Sequence, residues 1–117
     1  MYIAATVLSI LLALLMAATG IPKLLNGATA RKNAAHLAIS TSLSRLIGVA
    51  EIAAAIGLTA GMFIRPMGAV TAAAVVLLMV GAAIYHRRAR DPLTATAPAI
   101  MTAVAAVAVV VFGALLA

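Results

Sequence analysis

The chain has 117 residues, of which 67% are hydrophobic and only 9% are charged, and its net charge at pH 7 is +6. A small soluble domain exposes too much surface to hide so many apolar side chains, so the composition predicts an integral membrane protein. Cysteine is absent, which excludes disulfides, thiolate-held iron–sulfur clusters and thiol redox chemistry. Because the basic residues flank apolar segments, the positive charge indicates membrane topology and no nucleic-acid partner.

Four segments of the sequence are long and apolar enough to cross a membrane. They cover about residues 2–22, 46–64, 66–85 and 98–117. Each has roughly 20 residues, which at 1.5 Å per residue matches the thickness of about 30 Å of a hydrocarbon core. The sequence therefore predicts an all-α fold, a bundle of four transmembrane helices that forms a single integral membrane domain over residues 1–117. No segment remains for a soluble catalytic domain.

The first span and the connector after it carry helix-breaking residues. Pro22 cannot donate to the carbonyl of Ala18, so we expect a kink or an unwound turn near the end of the first span. Asn26 and Gly27 then form a turn signal, and the modest helical spacing of residues 28–44 predicts a short amphipathic segment at the interface, with a solvated loop as the alternative. Because no basic region precedes the first span, we expect that span to be retained and not cleaved as a signal peptide.

Small residues on the second span predict close helix packing. Ala50, Ala54, Gly57 and Gly61 share one side of the predicted helix, and the last two have the GxxxG spacing that lets another helix approach closely. Gly20 and Gly48 each precede a charged residue by three positions, which leaves space beside Lys23 and Glu51. The sequence Arg65-Pro66 predicts a tight turn into the third span.

The distribution of basic residues predicts the orientation of the bundle. Seven of the eight Lys and Arg residues lie in the first and third connectors or beside them, and the second connector holds only Arg65. These seven residues are Lys23, Arg31, Lys32, Arg45, Arg87, Arg88 and Arg90. By the positive-inside rule, residues 24–44 and 86–97 are cytoplasmic and both termini lie outside the cytoplasm.

Glu51 is the one acidic residue inside a predicted span, where an uncompensated charge costs about 2–3 kcal/mol. The topology brings Lys23 and His86 to the same level at the cytoplasmic side, so we predict a polar site of Lys23, Glu51, His86 and Arg87. We expect Glu51 to be ionised and paired with Lys23, with His86 or Arg87 as the next neighbour. Such a site could bind a headgroup, a quinone or a proton, or it could be a structural ion pair with interfacial anchors that reach lipid phosphates.

No metal is expected at the two histidines. His36 lies on the surface segment of the first connector, and neither His36 nor His86 has the spacing of an HxxxH or histidine–carboxylate ligand set. We likewise expect no cofactor, with a quinone or a lipid as the alternative ligand of the polar site.

Four short motifs carry a family resemblance. They are GxxKL at Gly20 to Leu24, GxxEIxxAxGLxxG at Gly48 to Gly61, RPxG at Arg65 to Gly68, and HRRARD at His86 to Asp91. Together they resemble the DoxX-like family of small four-span membrane proteins over nearly the whole chain. The resemblance implies a four-helix bundle in a bacterial plasma membrane.

The resemblance also implies which residues matter. The family's Gly-Lys and Gly-Glu motifs match Lys23 and Glu51, and its histidine–arginine motif matches His86 and Arg88, although the ending HRRARD departs from the family's usual pattern. The family is named for a subunit of a thiosulfate:quinone oxidoreductase, which links the chain to redox assemblies.

Three functions are consistent with these features. We expect an accessory or scaffold subunit that packs against other membrane subunits or against copies of itself in the lipid bilayer, and that has no catalytic residue. The alternative is a small proton-coupled transporter or a lipid-binding or quinone-binding protein, although small multidrug exporters place their acid in the first span among aromatic residues, and this chain is 3% aromatic and has no Trp. An enzyme would have to use Glu51 and His86 as an acid–base pair.

Overall fold

The computed structural model describes residues 2–116, without the side chains of Tyr2, Arg65, Pro66 and Leu116. These residues form five helices, α1 Tyr2–Leu25, α2 Ala28–His36, α3 Thr41–Ala60, α4 Arg65–Arg88 and α5 Leu93–Leu116, and include no strand. All of them except α2 are long and apolar enough to cross a membrane. The predicted all-α bundle of four apolar helices, with a short helical segment between the first two, is therefore confirmed.

Helix α3 is shifted toward the N-terminus relative to the predicted span 46–64. It begins at Thr41 because Ser40 caps it, with the Ser40 hydroxyl accepting a hydrogen bond of 3.0 Å from the backbone N–H of Leu43. It ends at Ala60, whose carbonyl accepts from the N–H of Ile64 at 2.9 Å and closes the turn to α4. The predicted boundary at residue 46 follows Arg45, whereas the helix itself begins five residues earlier, in polar sequence.

Helix α5 begins five residues before the predicted start at Pro98. The Thr-rich segment predicted as a connector forms its first turn, and the carbonyl of Pro92 accepts hydrogen bonds from Ala95 and Thr96. Pro98 therefore lies inside the helix, as Pro22 does in α1, which runs to Leu25 without the predicted unwinding.

Helix α2 is shorter than the predicted amphipathic segment. It ends at His36, and the backbone at Ala38 has a φ of 56°, in the left-handed region that an alanine rarely adopts. Ala30 and Ala34 are its buried residues, so α2 rests on α1 and α3 through small side chains. The predicted apolar side continuing to Ile39 is interrupted by this turn.

The four long helices pack in a ring in which α1 contacts α3 and α5, and α4 contacts α3 and α5. Consecutive members of the ring enclose one apolar core. Its buried residues are Leu12, Met16, Ala54, Leu58, Ala72, Val75, Ala106 and Val109. Helices α1 and α4 are diagonal to each other in this arrangement, which decides what each can contact at the ends of the bundle.

Helices α3 and α4 approach each other closely at the glycines of the GxxxG spacing. A Cβ at Gly57 would lie 2.5 Å from the Thr71 hydroxyl oxygen, and a Cβ at Gly61 would collide with the backbone of Gly68. Of the other two residues in the predicted stripe, Ala54 is buried and Ala50 is half-buried. The geometry thus places the glycine end of the stripe against α4.

Candidate functional site

Glu51 lies on α3 with only 1% of its surface exposed, and both of its carboxylate oxygens are bonded to α1. Oε1 forms an ion pair with the Lys23 ammonium, and Oε2 accepts a hydrogen bond from the Thr19 hydroxyl. The contact between Lys23 and Glu51 that the sequence predicts is present. Thr19 takes the place that the sequence analysis gave to His86 or Arg87.

Two glycines create the space for this ion pair. A Cβ at Gly48 would lie 2.9 Å from both the Gly20 carbonyl oxygen and the Lys23 Cβ, and a Cβ at Gly20 would lie 3.0 Å from the Glu51 Cβ. The contacts at Gly48 are closer than real Cβ atoms approach a neighbour, and the contact at Gly20 is tighter than most, so glycine at both positions lets the two helices come this close. The approach sets Lys23 and Glu51 side by side.

The two ends of the ion pair differ in their environment. The Glu51 side chain is 2% exposed, whereas that of Lys23 is 33% exposed. In a medium of low dielectric constant the attraction between the charges is strong, but much of it is offset by the desolvation of both groups. Such a pair contributes more to the position of α1 on α3 than to net stability, because either charge left alone would be expensive.

His86 belongs to a different cluster, centred on Asp91. The Nδ1 atom of His86 lies 2.6 Å from Oδ2 of Asp91, and Nε2 of His36 lies 2.5 Å from Oδ1. A carboxylate only accepts hydrogen bonds, so each histidine nitrogen is a donor. We call the three residues His36, Asp91 and His86 the histidine clamp. It joins the end of α2 to the end of α4 and to the connector before α5.

The predicted polar site is therefore divided between two places. Lys23 and Glu51 are together, His86 contacts Asp91, and Arg87 is exposed at the end of α4. The physical reason is the ring order: α4 lies diagonal to α1, so the last turn of α4 meets its own connector and α2. Thr19 and Asp91 were not predicted as partners from the sequence. The pairing of Asp91 with His86 could have been predicted, since Asp91 is one of only two acids and follows His86 by five residues.

The clamp holds Asp91 in its ionised form. Hydrogen bonds from His86, and secondly from His36, lower the pKa of the Asp91 carboxyl below its ordinary value of 3.8. The backbone supports this geometry, because the N–H of Asp91 donates to the carbonyl of His86 at 3.0 Å. Among the side chains that the structure describes, no three His, Asp or Glu residues are arranged to hold a metal ion.

An apolar groove lies between α1 and α5, about 350 Å³ in volume and open along one side. Its walls are mostly aliphatic side chains. They are Leu8, Leu11, Leu12 and Leu15 of α1, with Pro98, Met101, Thr102 and Ala105 of α5. The hydroxyl of Thr102 donates to the carbonyl of Pro98 at 2.7 Å, so the polar group in the wall is already bonded within its own helix.

Comparison with known proteins identifies one relationship. A model of the DoxX-like family matches residues 7–111, which includes α3, α4, most of α1 and α5, and both polar clusters. No curated protein and no solved structure matches the chain.

Proposed function

Since this chain belongs to the DoxX-like family, we propose that it is a non-catalytic accessory subunit, a scaffold within a bacterial plasma-membrane assembly of the redox type. The single observation that carries the proposal is the engagement of both oxygens of Glu51. A carboxylate that binds a lysine and a threonine of the neighbouring helix, and that is 1% exposed, supports the architecture of the bundle.

The histidine clamp supports the same proposal. It uses the second acid and both histidines of the sequence to fasten α2 to the end of α4. Acid–base catalysis or proton transport needs a titratable group that can reach a substrate or water and change its partner. Here these groups bind each other across helices, which favours a rigid scaffold over an enzyme or a transporter.

The outer face of α4 is the surface that we assign to a partner subunit. Only 11% of the α4 span is buried against the rest of the chain, compared with 28% for α1 and α3. Exposed residues recur along one side of the helix. We define this outer face by the exposed residues Val70, Ala74, Leu77 and Ile84 and by the half-buried Gly81. A Cβ at Gly81 would meet no atom within 4 Å, so a helix of another subunit could approach closely at this position.

The test is purification of the tagged chain from its native membrane in a mild detergent, followed by mass spectrometry. We expect at least one other membrane protein in a fixed ratio with the wild type, and its loss from the Gly81→Leu variant. The Gly81→Leu chain should keep the wild-type thermal midpoint, because its new side chain points into open space. Val104→Leu, a smaller change that places a leucine on the exposed side of α5, is the control and should retain the partner.

Two results would contradict this proposal, the first by ruling out the accessory role and the second by ruling out the α4 interface. One is a wild-type chain that co-purifies with lipid alone or only with copies of itself. The other is a partner that remains bound to Gly81→Leu as firmly as to the wild type, which would leave the outer face of α4 without a function.

A further inference from the structure

The charges at one end of the bundle do not balance within the chain. Glu51 binds Lys23, and Asp91 binds two histidines, so the two acids of the sequence are already engaged. Six other cations are exposed at this end, and none of them forms an ion pair with a side chain that the structure describes. They are Arg31, Lys32, Arg45, Arg87, Arg88 and Arg90. These cations are therefore available to pair with an anion from outside the chain.

Three of these cations lie at the level of the lipid headgroups. Arg87 and Arg88 form the end of α4, and Arg90 lies in the connector that leads directly into α5. Both helices are of membrane-spanning length, so their shared end lies at the boundary between hydrocarbon and water. The Arg88 guanidinium lies 5.9 Å from the centre of the Tyr85 ring, an aromatic residue of the kind that is enriched at this boundary. Phosphate groups of the lipids occupy the same level.

The apolar groove between α1 and α5 lies deeper in the membrane than this basic end. Its α5 wall runs from Pro98 to Ala105. At 1.5 Å per residue these positions are about 8 Å and about 18 Å along the axis from Leu93, the first residue of α5. One leaflet of a bilayer contributes about 15 Å of hydrocarbon. The groove thus lies at the depth of the inner half of an acyl chain whose headgroup is beside the α4–α5 connector.

We propose that the groove between α1 and α5 binds one anionic phospholipid, with an acyl chain against the aliphatic walls and the phosphate on Arg87, Arg88 and Arg90. A neutral quinone would fill the groove but leave these cations unbalanced. A second copy of the chain would bring six further exposed cations to the same end. The charge therefore favours an anionic lipid, and this inference is independent of the proposed accessory role.

The experiment uses the absence of Trp from the sequence. A single Trp replaces Met101, which lines the groove and is 70% exposed, so the change should be tolerated. The matched control is Ile100→Trp. Ile100 is 45% exposed and lies at the same depth on the same helix, but it does not line the groove. Both full-length variants are reconstituted with phosphatidylcholine and with phosphatidylglycerol whose acyl chains are brominated, and quenching of the Trp fluorescence reports which lipid is beside it.

We expect Met101→Trp to bind phosphatidylglycerol at least about fivefold better than phosphatidylcholine, the factor that one arginine contributes at a membrane surface. Ile100→Trp should show a ratio near one. Replacing Arg87, Arg88 and Arg90 with Gln in the Met101→Trp chain should bring its ratio down to that of the control.

Four outcomes would overturn the proposal. Equal quenching of Met101→Trp by the two lipids would mean that the groove does not select an anionic lipid. The same preference in Ile100→Trp would mean a general enrichment of anionic lipid around the bundle. A preference that survives the three Gln substitutions would remove the arginines from the site. Absence of quenching by either lipid in Met101→Trp alone would show that another helix covers the groove.

Discussion

At the residue scale, Lys23 and Glu51 are paired, but they differ in access to water. Replacing Lys23 with Met leaves a buried carboxylate without its cation, whereas replacing Glu51 with Gln leaves a lysine that is one third exposed and can reach water. We expect Lys23→Met to lower the free energy of unfolding by about 3–5 kcal/mol and Glu51→Gln to lower it by less. The double variant should lose less than the sum of the two.

This double-mutant cycle is measured by unfolding the chain in mixed detergent micelles. Thr19→Val, which removes a neutral hydroxyl from the second oxygen, is the control and should cost about 1–3 kcal/mol. Strict additivity of the losses in Lys23→Met and Glu51→Gln would mean that the two charges do not interact, and would return Glu51 to the role of a protonatable group.

The ionisation of Asp91 makes the stability of the chain depend on pH in the acidic range. Because His86 and His36 lower the pKa of Asp91, the contribution of the clamp is complete above the ordinary pKa of an aspartate and is lost as the pH falls through the lowered value. Below about pH 4, we expect the thermal midpoint of the wild type to fall more than that of Asp91→Asn, because the variant cannot lose this contribution. Glu51 is present in both chains and cancels in the comparison. Midpoint curves of the same shape from pH 3 to 7 would be evidence against the clamp.

The residues of the two clusters differ in how far the sequence could predict them. The pairing of Lys23 with Glu51 follows from topology, because the two residues lie on adjacent spans at the same level. A glycine also stands three residues before each of them. The clamp does not follow from topology, because it requires the position of α2 on the end of the bundle. That position is set by the burial of Ala30 and Ala34 and by the turn at Ala38, which no helical periodicity indicates.

At the element scale, the α3–α4 hairpin depends on the contact of Gly61 with Gly68. A Cβ at Gly61 would collide with backbone atoms, which cannot rotate away, whereas the Cβ of Gly57 would meet the side chain of Thr71. We expect Gly61→Ala to separate the helices and to cost about 1–3 kcal/mol in the free energy of unfolding. Gly57→Ala should cost less, because the Thr71 side chain can change rotamer.

Gly81→Ala is the control for this prediction, since its Cβ would meet no atom within 4 Å. It should be neutral or stabilising by about 0.5–1 kcal/mol, the usual gain when a helical glycine becomes alanine. The measurement is the free energy of unfolding in mixed micelles for all three variants. Equal effects of Gly61→Ala and Gly81→Ala would show that the hairpin is not closely packed.

The boundaries of the helices were less predictable than their number. Hydropathy indicates four spans because each contains about 20 apolar residues, enough to cross about 30 Å of hydrocarbon. It does not locate their ends, since Ser40 starts α3 in polar sequence and Pro98 lies inside α5 although a proline is typical of a helix start. In both helices hydrogen bonds at the start decide the boundary, and these are local features that an apolar pattern does not record.

At the scale of the whole molecule, the basic residues and the clamp belong to one end of the bundle. The clamp joins α2 to the α4–α5 connector, so the two segments that carry most of the positive charge are held together. At the other end, the turn between α3 and α4 is followed by Arg65 alone. A bundle with such an asymmetry has one strongly preferred orientation, because positively charged connectors remain in the cytoplasm.

We therefore predict that both termini lie outside the cytoplasm, with residues 24–44 and 86–97 inside it. Alkaline phosphatase needs disulfides and is active only outside the cytoplasm, whereas green fluorescent protein serves as the reporter of the cytoplasmic side. A phosphatase fusion at Ala117 should be active and a fluorescent fusion there dark, while fusions made after Arg90 should give the reverse. Replacing Arg87, Arg88 and Arg90 with Gln should reduce the phosphatase activity at Ala117, since it removes three of the seven cations that set the orientation. A fusion at Ala117 that is fluorescent and has no phosphatase activity would reverse the topology and place the basic end of the bundle outside.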